Sequence, residues 1–346
     1  MSADGLVLAV DGGGLKTDLA LLDTRGALLS LVRGGRSQVY YLGVDGCVEV
    51  LEALLERAIV EAGLGRLERP FAATAQILLA GVDLPEELAS LRSRIERQDW
   101  TSRLVVGNDT LALLRAGTDR GWGIAVVCGT GINCVGVAPG GRESNPREAR
   151  FLSFGPVSGD WGGGNDVGLA ALAAAVRSAD RRGPRTVLEQ AVPSHFGLGD
   201  PFDVARAVHL DSMPMSRLGE LAPVVLALCE EDSVARGVVS RLADEVIAFA
   251  GAAIRRLELA EADPDVVLGG RLLTAVPPTV IETIAGEVQR LAPAARVLVS
   301  PSEPIVGAAL LALDGVAADP SAAARARAEL DAAIAGRSAA VVDRLG

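Results

Sequence analysis

The stretch from Leu6 to Leu22, LVLAVDGGGLKTDLALL, constrains the fold of this chain more than any other. An apolar run ends at Asp11, three glycines follow, and Lys16-Thr17 lead into a second apolar run that alternates with period two. This pattern predicts two antiparallel strands joined by a tight glycine turn. Glycines allow backbone N–H groups to approach a ligand closely because no Cβ intervenes. An acidic residue at a strand end, here Asp11, is suited to hold a hydrated metal ion.

The two common phosphate-binding loops do not fit this stretch. A Walker loop and a dinucleotide fingerprint both open a helix, whereas the residues after the glycines alternate as in a strand. We therefore expect a phosphate and Mg²⁺ site on a hairpin. The residues expected near the phosphates are Gly13, Gly14, Lys16 and Thr17. The alternative is an ordinary glycine hairpin in which Asp11 favours the turn and Lys16 is solvated.

Two later segments support the first interpretation. Gly123 to Val137, GIAVVCGTGINCVGV, again reads as strand, glycine turn and strand, with the turn at Gly129-Thr130-Gly131 and Asn133 just beyond. A short apolar strand then ends at Gly269-Gly270, where a flat adenine could lie against bare backbone. The repetition suggests a duplicated fold in which each half supplies one phosphate hairpin.

These motifs together resemble those of the actin-like sugar kinase superfamily, and within it the N-acetylglucosamine kinase / BadF-BadG-BcrA-BcrD ATPase family. Both glycine turns match the family's phosphate motifs, Gly269-Gly270 matches its adenosine motif, and Pro304 to Ala309 matches its closing helix. The resemblance covers about residues 6 to 315. It implies an α/β fold with two actin-like (ribonuclease H-like) domains around a central cleft and a helical insert in the second. We expect the domains at residues 1–116 and 117–346.

The resemblance also implies roles for individual residues. Asp109 follows the apolar strand ending at Val106, where such kinases place the base that takes a proton from the sugar hydroxyl. Asp160 in the SGDWGGG loop matches an aspartate that holds sugar hydroxyls. The further expected substrate contacts are Gln38, Asn108, Asn133, Ser153, Phe154 and Gly155. The implied cofactors are ATP and Mg²⁺, with Asp11 as the metal ligand.

Each carboxylate also has a local alternative role. Asp109 precedes a helical pattern, and aspartate is a favoured helix N-cap; Asp160 could be an ordinary loop residue among glycines. The chain also departs from the family pattern at three places. Leu15 replaces the usual Thr or Ser of the first turn, and Trp161 stands where the family has Glu. Gln38 is the nearest candidate for the family's early sugar-contacting Asn, so the identity of the sugar stays open.

Composition limits the other classes of function. The chain has 346 residues, which favours two domains, and a formal net charge of −11, which argues against nucleic acid or anionic membrane partners. No apolar run approaches the roughly 20 residues of a membrane span, and no secretory signal is recognisable. The four cysteines lack CxxC spacing, which favours reduced thiols in the cytoplasm. The resemblance further implies a homodimer acting on a small sugar.

The leading hypothesis is an ATP-dependent kinase of N-acetylglucosamine or a related amino sugar. One alternative is an ATPase activator of a radical dehydratase, which would hold an iron–sulfur cluster through cysteines such as Cys128. Another is a sugar sensor without catalysis, motivated by Leu15. The helices expected from periodicity include Cys47–Ala62 and one long amphipathic helix Val238–Leu259, which ends a mainly helical region from Val167 interrupted by prolines. A tail Ser321–Leu345 is also expected to be helical, with no assigned function.

Overall fold

The computed structural model describes residues 5–140 and 147–342, and its contacts divide the chain into two compact units. The first unit contains the described residues up to Gly121 together with those from Ser300 onward. The second unit runs from Trp122 to Val299. Each unit is built on a five-stranded mixed sheet, so the chain is of the α/β class.

The two sheets share one topology. In the first, the central strand pairs antiparallel with the strand after it and parallel with the fourth strand; in the second, the central strand is paired in the same way. The strands of the first sheet are β1 (Leu6–Gly12), β2 (Thr17–Asp23), β3 (Leu28–Gly34), β4 (Thr74–Leu79) and β5 (Leu104–Gly107), in the order β3-β2-β1-β4-β5. Those of the second are β6 (Gly123–Cys128), β7 (Ile132–Val137), β8 (Glu148–Arg150), β9 (Asp265–Gly269) and β10 (Arg296–Val299), in the order β10-β9-β6-β7-β8.

The α-helices of the described residues cover the sheets and fill the region between β8 and β9. They are α1 (Val39–Glu61), α2 (Pro85–Glu96), α3 (Thr110–Gly117), α4 (Gly164–Ala179), α5 (Leu188–Phe196), α6 (Pro201–His209), α7 (Ala222–Leu228), α8 (Ser233–Leu257), α9 (Pro278–Leu291), α10 (Pro304–Gly315) and α11 (Pro320–Val342). Short 3-10 turns lie at Gly155–Val157 and Met215–Leu221. Among the described helices, none combines the length and apolarity needed to cross a bilayer.

Strand β1 is buried on both faces, which explains its unbroken apolar run. Leu8 and Val10 belong to a core cluster that includes Leu51 of α1. Val7 and Ala9 face the opposite way and join a cluster with Ile305 and other residues of α10. Asp11 and the glycine turn therefore project from the end of a strand that is fixed by packing on both sides.

The C-terminal residues correct the expected domain bounds. We expected residues 117–346 to form the second domain, but the residues from Ser300 onward belong to the first unit. Helix α10 packs on β1, β4 and α3, because Gly307 lets the two helix backbones meet. A Cβ at Gly307 would lie 1.8 Å from the carbonyl oxygen of Ala112 in α3.

Several helix ends also differ from the expectation. Helix α1 begins at Val39 rather than Cys47 and is broken at Gly43. Helix α8 begins at Ser233, because the Asp232 carboxylate accepts hydrogen bonds from the N–H groups of Val234 and Ala235. The expected tail helix is present as α11, described to Val342; its predicted last residues, 343–345, lie outside the described residues.

Candidate active site

The first glycine turn joins β1 to β2 at residues 13–16. The register pairs Gly12 with Thr17, and the N–H of Gly13 donates to the carbonyl of Lys16 at 2.8 Å. Leu15 lies at the tip with 62% of its surface exposed. Two of the residues expected near phosphates, Gly13 and Gly14, therefore lie in the turn. The N–H of Gly13 already donates within the turn, to the carbonyl of Lys16.

Thr17 lies away from the turn surface. Its side chain is fully buried, and its hydroxyl donates to Ser37 Oγ at 2.8 Å. The hydroxyl is thus committed inside the protein. It therefore supplies no hydroxyl at the tip of the turn, where Leu15 stands in place of the Thr or Ser that the resemblance implies.

Asp11 lies at the end of β1 and is 8% exposed. Burial raises the pKa of its carboxyl well above the usual range, and the negative charge of nearby Asp109 raises it further. The positive charge of Lys16 opposes this rise only in part. The carboxyl groups of Asp11 and Asp109 therefore repel each other, and Lys16 compensates their negative charge only in part. A divalent cation would be stabilised in this environment.

Asp109 lies between β5 and α3 and does not cap the helix through its side chain. The N–H of Thr110, the first residue of the helix, donates instead to Oδ1 of Asn108 at 3.0 Å, and the Thr110 hydroxyl donates to the same oxygen at 2.6 Å. Oδ1 of Asp109 is buried without a hydrogen-bond partner in the part of the chain that the structure describes. Asp109 therefore occupies the N-cap position of α3 without a side-chain capping bond, and its Oδ1 stays available for chemistry.

The environment of Asp109 sets its proton affinity. Burial raises the pKa of its carboxyl to about 7, with a further contribution from the negative charge of Asp83 and a partial offset from nearby backbone N–H groups. A carboxyl that titrates near neutral pH is suited to general base catalysis, because it is both ionised in part and basic enough to take a proton. Strongly shifted groups of this kind are concentrated at functional sites.

Asp83 is a site residue that the sequence did not indicate. Asn108 donates from Nδ2 to Oδ1 of Asp83 at 2.7 Å, so both ends of the Asn108 amide are engaged and the side chain is 3% exposed. Gln38, at the start of α1, lies beside Gly81, which follows β4. Four polar side chains thus lie around the carboxyl ends of β4 and β5, namely Gln38, Asp83, Asn108 and Asp109. Open α/β sheets bind ligands at this edge.

The second glycine turn joins β6 to β7 and is closed by the N–H of Gly129, which donates to the Gly131 carbonyl at 2.9 Å. The start of α4 rests on this turn. The N–H of Gly164 donates to the carbonyl of Gly129 at 2.9 Å, and that of Asn165 donates to the carbonyl of Thr130 at 3.3 Å. The SGDWGGG loop therefore ends directly on the second predicted phosphate turn.

The predicted adenosine motif lies at the same end of the second sheet. Gly270 follows β9 with φ of 85°, and a Cβ there would lie 2.2 Å from the carbonyl oxygen of Cys128, the last residue of β6. Only glycine allows this approach. Three glycine segments consequently form one rim within the second unit: Gly129 to Gly131, Gly162 to Gly164 and Gly269-Gly270.

The predicted sugar-contacting residues of the second unit form two linked groups. Ser153 donates from its hydroxyl to Oδ1 of Asn133 at 2.6 Å. The Ser158 hydroxyl donates to Asp160 at 2.5 Å and accepts from the Phe154 N–H at 2.7 Å, while the Asp160 N–H donates to the carbonyl of Gly155 at 3.0 Å. These bonds order the loop and hold Asp160 in place.

One face of α8 borders this loop, which the sequence did not predict. The guanidinium of Arg241 lies 4.1 Å from the ring centre of Trp161, a cation–π contact. Glu245, one turn further along α8, has its pKa raised by burial and by the negative charge of Asp160, against the effect of Arg241. Trp161, which stands where the resemblance implies Glu, is thus packed against a helix that brings another carboxylate near the loop.

Comparison with known proteins identifies the family of this chain. The model of the BadF/BadG/BcrA/BcrD ATPase family matches residues 8–312. The chain belongs to this family. It is 28% identical over 256 residues to the N-acetylmuramic acid/N-acetylglucosamine kinase of Clostridium acetobutylicum, covering 73% of this chain and 80% of the relative. It is 22% identical over 334 residues to the N-acetyl-D-glucosamine kinase of Dictyostelium discoideum, covering 89% and 98%.

Solved structures support the sugar kinase fold. A Chromobacterium violaceum protein, provisionally assigned as an N-acetylglucosamine kinase, superposes with a TM-score of 0.70 at 24% identity and covers 90% of this chain and 99% of its own. A ROK family glucokinase from Streptomyces griseus, solved with glucose and AMPPNP, gives a TM-score of 0.52 at 18% identity, covering 90% and 98%. At these identities the likeness concerns the fold alone.

The cysteines of this BadF/BadG/BcrA/BcrD family member do not favour the iron–sulfur alternative. Cys128 is completely buried, and burial, with a contribution from nearby Cys134, raises the pKa of its thiol. A cluster ligand has to be an accessible thiolate.

Proposed function

We propose that this protein is an ATP-dependent kinase that transfers the γ-phosphate to a hydroxyl of a small amino sugar, N-acetylglucosamine or a close relative such as N-acetylmuramic acid. The names of the two curated relatives support this choice of substrate. The observation that carries the proposal is the Asp109 carboxylate, which is buried, has one oxygen without a hydrogen-bond partner in the described structure and has a pKa of about 7.

In this reaction Asp109 would accept the proton of the attacking sugar hydroxyl. The sugar oxygen forms a bond to the γ-phosphorus while the bond from that phosphorus to the bridging oxygen breaks, and ADP leaves. Positioning and charge stabilisation supply most of the catalysis in phosphoryl transfer, so one well-placed carboxylate suffices as the base. The proton on Asp109 is then lost to solvent before the next turnover.

Mg²⁺ fits the residues present at the end of β1. Asp11 would hold the ion, because Mg²⁺ prefers carboxylate oxygen and commonly uses only one or two protein ligands. When bound, the ion neutralises phosphate charge. The repulsion between Asp11 and Asp109 would be relieved by the same positive charge.

The remaining predicted residues divide between the nucleotide and the sugar. For ATP we propose the turn residues Gly13 and Gly14, Lys16, the second turn Gly129-Thr130-Gly131, and Gly269-Gly270 beside the adenine. For the sugar we propose Gln38, Asn133, Ser153, Phe154, Gly155 and Asp160. Asn108 instead orients the start of α3, since both ends of its amide are already bonded.

A sugar panel tests the proposal directly. ADP release would be measured in a coupled assay with Mg-ATP and glucosamine, N-acetylglucosamine, N-acetylmannosamine, N-acetylmuramic acid, glucose or buffer alone. We expect release that depends on an N-acetylated amino sugar and exceeds the buffer rate severalfold. Equal rates with every sugar and with buffer would contradict the kinase assignment, and tight sugar binding without turnover would identify a sensor.

The pH dependence of kcat/KM should follow Asp109. Because the ionised base is required, activity should rise as the pH increases through about 7. Asp83→Asn removes a negative charge that raises this pKa, while the new amide oxygen can still accept from Asn108. In this variant the rise of kcat/KM on the acidic side of the pH profile should therefore move to lower pH by up to about one unit. A rise that stays in place in the variant would show that another group governs it.

A further inference from the structure

The ammonium group of Lys16, at the first phosphate turn, is held from two sides. It donates to Oδ2 of Asp18 at 3.0 Å and makes a close ion pair with Oε2 of Glu303. Glu303 immediately precedes α10 and lies far away in sequence. An ammonium group has three N–H donors, so one donor remains after these two contacts.

Both partners of Lys16 are themselves fixed by Arg33 on β3. Its Nε and Nη2 each donate to Asp18 at 2.8 Å, and Nη2 also donates to Glu303 at 2.9 Å. Asp18 is fully buried. Although burial opposes its ionisation, the bonds from Arg33 and Lys16 hold its pKa below the usual range, so it remains an anion at neutral pH.

The C-terminal helix reaches the same network. Nη2 of Arg337 lies 3.4 Å from Oδ1 of Asp18. Helix α11 is held in this place by two further contacts, from Arg327 to the carbonyl of Ala116 at 2.8 Å and from Ser302 to Asp331 at 3.1 Å. The tail to which the sequence assigned no function therefore lies behind the first phosphate turn.

We propose that Glu303 and Asp18, with Arg337 behind Asp18, are positioning residues that aim the remaining N–H of Lys16 at an ATP phosphate. Three cationic side chains meet two carboxylates in this network, and Asp11 is a third carboxyl in the same electrostatic field. The two carboxylates bonded to Lys16 fix the position of its ammonium group, and its remaining N–H can donate to an anionic ligand. The inference rests on the proposed nucleotide site, and it makes the C-terminal helix part of that site.

The test is nucleotide binding by the full-length protein, measured by calorimetry with Mg-ADP and Mg-ATP in the absence of sugar. Glu303→Gln should weaken Mg-ATP binding about tenfold, the usual loss for a charged hydrogen bond, and Arg337→Gln should weaken it severalfold. In steady-state assays KM for ATP should rise while KM for the sugar stays unchanged. Glu303 makes no capping hydrogen bond to α10, so the Gln variant keeps that helix start.

Two comparisons separate positioning from a general structural effect. Lys16→Met should weaken ATP binding, and adding Glu303→Gln to it should produce little further loss, since the two act through one ammonium group. Arg325→Gln, which breaks an exposed pair with Glu329 on the same helix, should leave ATP binding unchanged. Normal binding in Glu303→Gln, or fully additive losses in the double variant, would overturn the inference. Absence of ATP binding by the wild-type protein would instead contradict the proposed function.

Discussion

Asp109→Asn should abolish sugar phosphorylation and at the same time make the protein more stable at pH 8. Loss of a general base typically lowers kcat by about 10² to 10⁴-fold. The Asn side chain nearly matches Asp in shape, so binding of ATP should persist. Activity within a few fold of wild type would contradict the assignment of Asp109 as the base.

The stability gain follows from the raised pKa of Asp109. Its folded-state value, about 7, lies above the ordinary value of 3.8, so the folded protein binds the proton more tightly than the unfolded chain. The stability from this group is fully present below about pH 4 and is lost as the pH rises through 7. At pH 8 the wild type therefore carries a buried charge with one oxygen unpaired among the described residues. Asn removes this charge, a change worth about 1 to 3 kcal/mol.

Urea unfolding at pH 4 and pH 8 would measure this difference. The free energy of unfolding of Asp109→Asn should exceed that of the wild type at pH 8, and this difference should shrink towards pH 4. Asp45→Asn is a suitable control because Asp45 is an exposed carboxylate in the same unit, paired only at the surface with Arg94; it should change the pH dependence by a few tenths of a kcal/mol at most. A variant less stable than wild type at pH 8 would show that Asp109 makes a compensating contact.

Gly307→Ala should strongly destabilise the first unit. The new methyl group would lie 1.8 Å from the carbonyl oxygen of Ala112 and 2.7 Å from the N–H nitrogen of Ala116. Both atoms belong to the backbone of α3, which cannot yield as a flexible side chain could. Separating α10 from α3 should cost about 3 kcal/mol, more than the roughly 1 kcal/mol by which Ala favours a helix over Gly.

Gly286→Ala in α9 is the matched control, because its Cβ would meet nothing within 4 Å. It should raise the melting temperature slightly, whereas Gly307→Ala should lower it by several degrees or more. Since α3 begins immediately after Asp109, a displaced α3 should also reduce kcat in the surviving folded protein. Equal melting temperatures for Gly307→Ala and wild type would refute the close packing of α10 on α3.

The glycine turns and their strands could be predicted from the sequence because they depend on local patterns. The strands flanking Gly12 to Gly14 and Gly129 to Gly131 have the register that alternating apolar residues favour. The local pattern could not decide the role of Asp109, since an aspartate before a helix reads equally as a cap or a base. The structure shows that Asp109 takes the N-cap position without a side-chain capping bond, while Asn108 accepts from the N–H of Thr110.

Long-range partners explain what the sequence did not reveal. Glu303 and Lys16 are separated by 287 positions, and no periodicity connects them. The placement of the C-terminal residues depends on the contact of Gly307 with α3, which looks like any glycine in a helical pattern. Asp83 reads as an ordinary loop residue before Pro85 until the fold brings it to Asn108.

Phosphorus NMR of the wild-type protein with Mg-ATP and the best sugar of the panel tests the central claim most directly. The account predicts a sugar phosphate signal that grows in equal amount with ADP and is absent in Asp109→Asn. ADP accompanied only by inorganic phosphate, or a sugar phosphate formed equally well by Asp109→Asn, would contradict it.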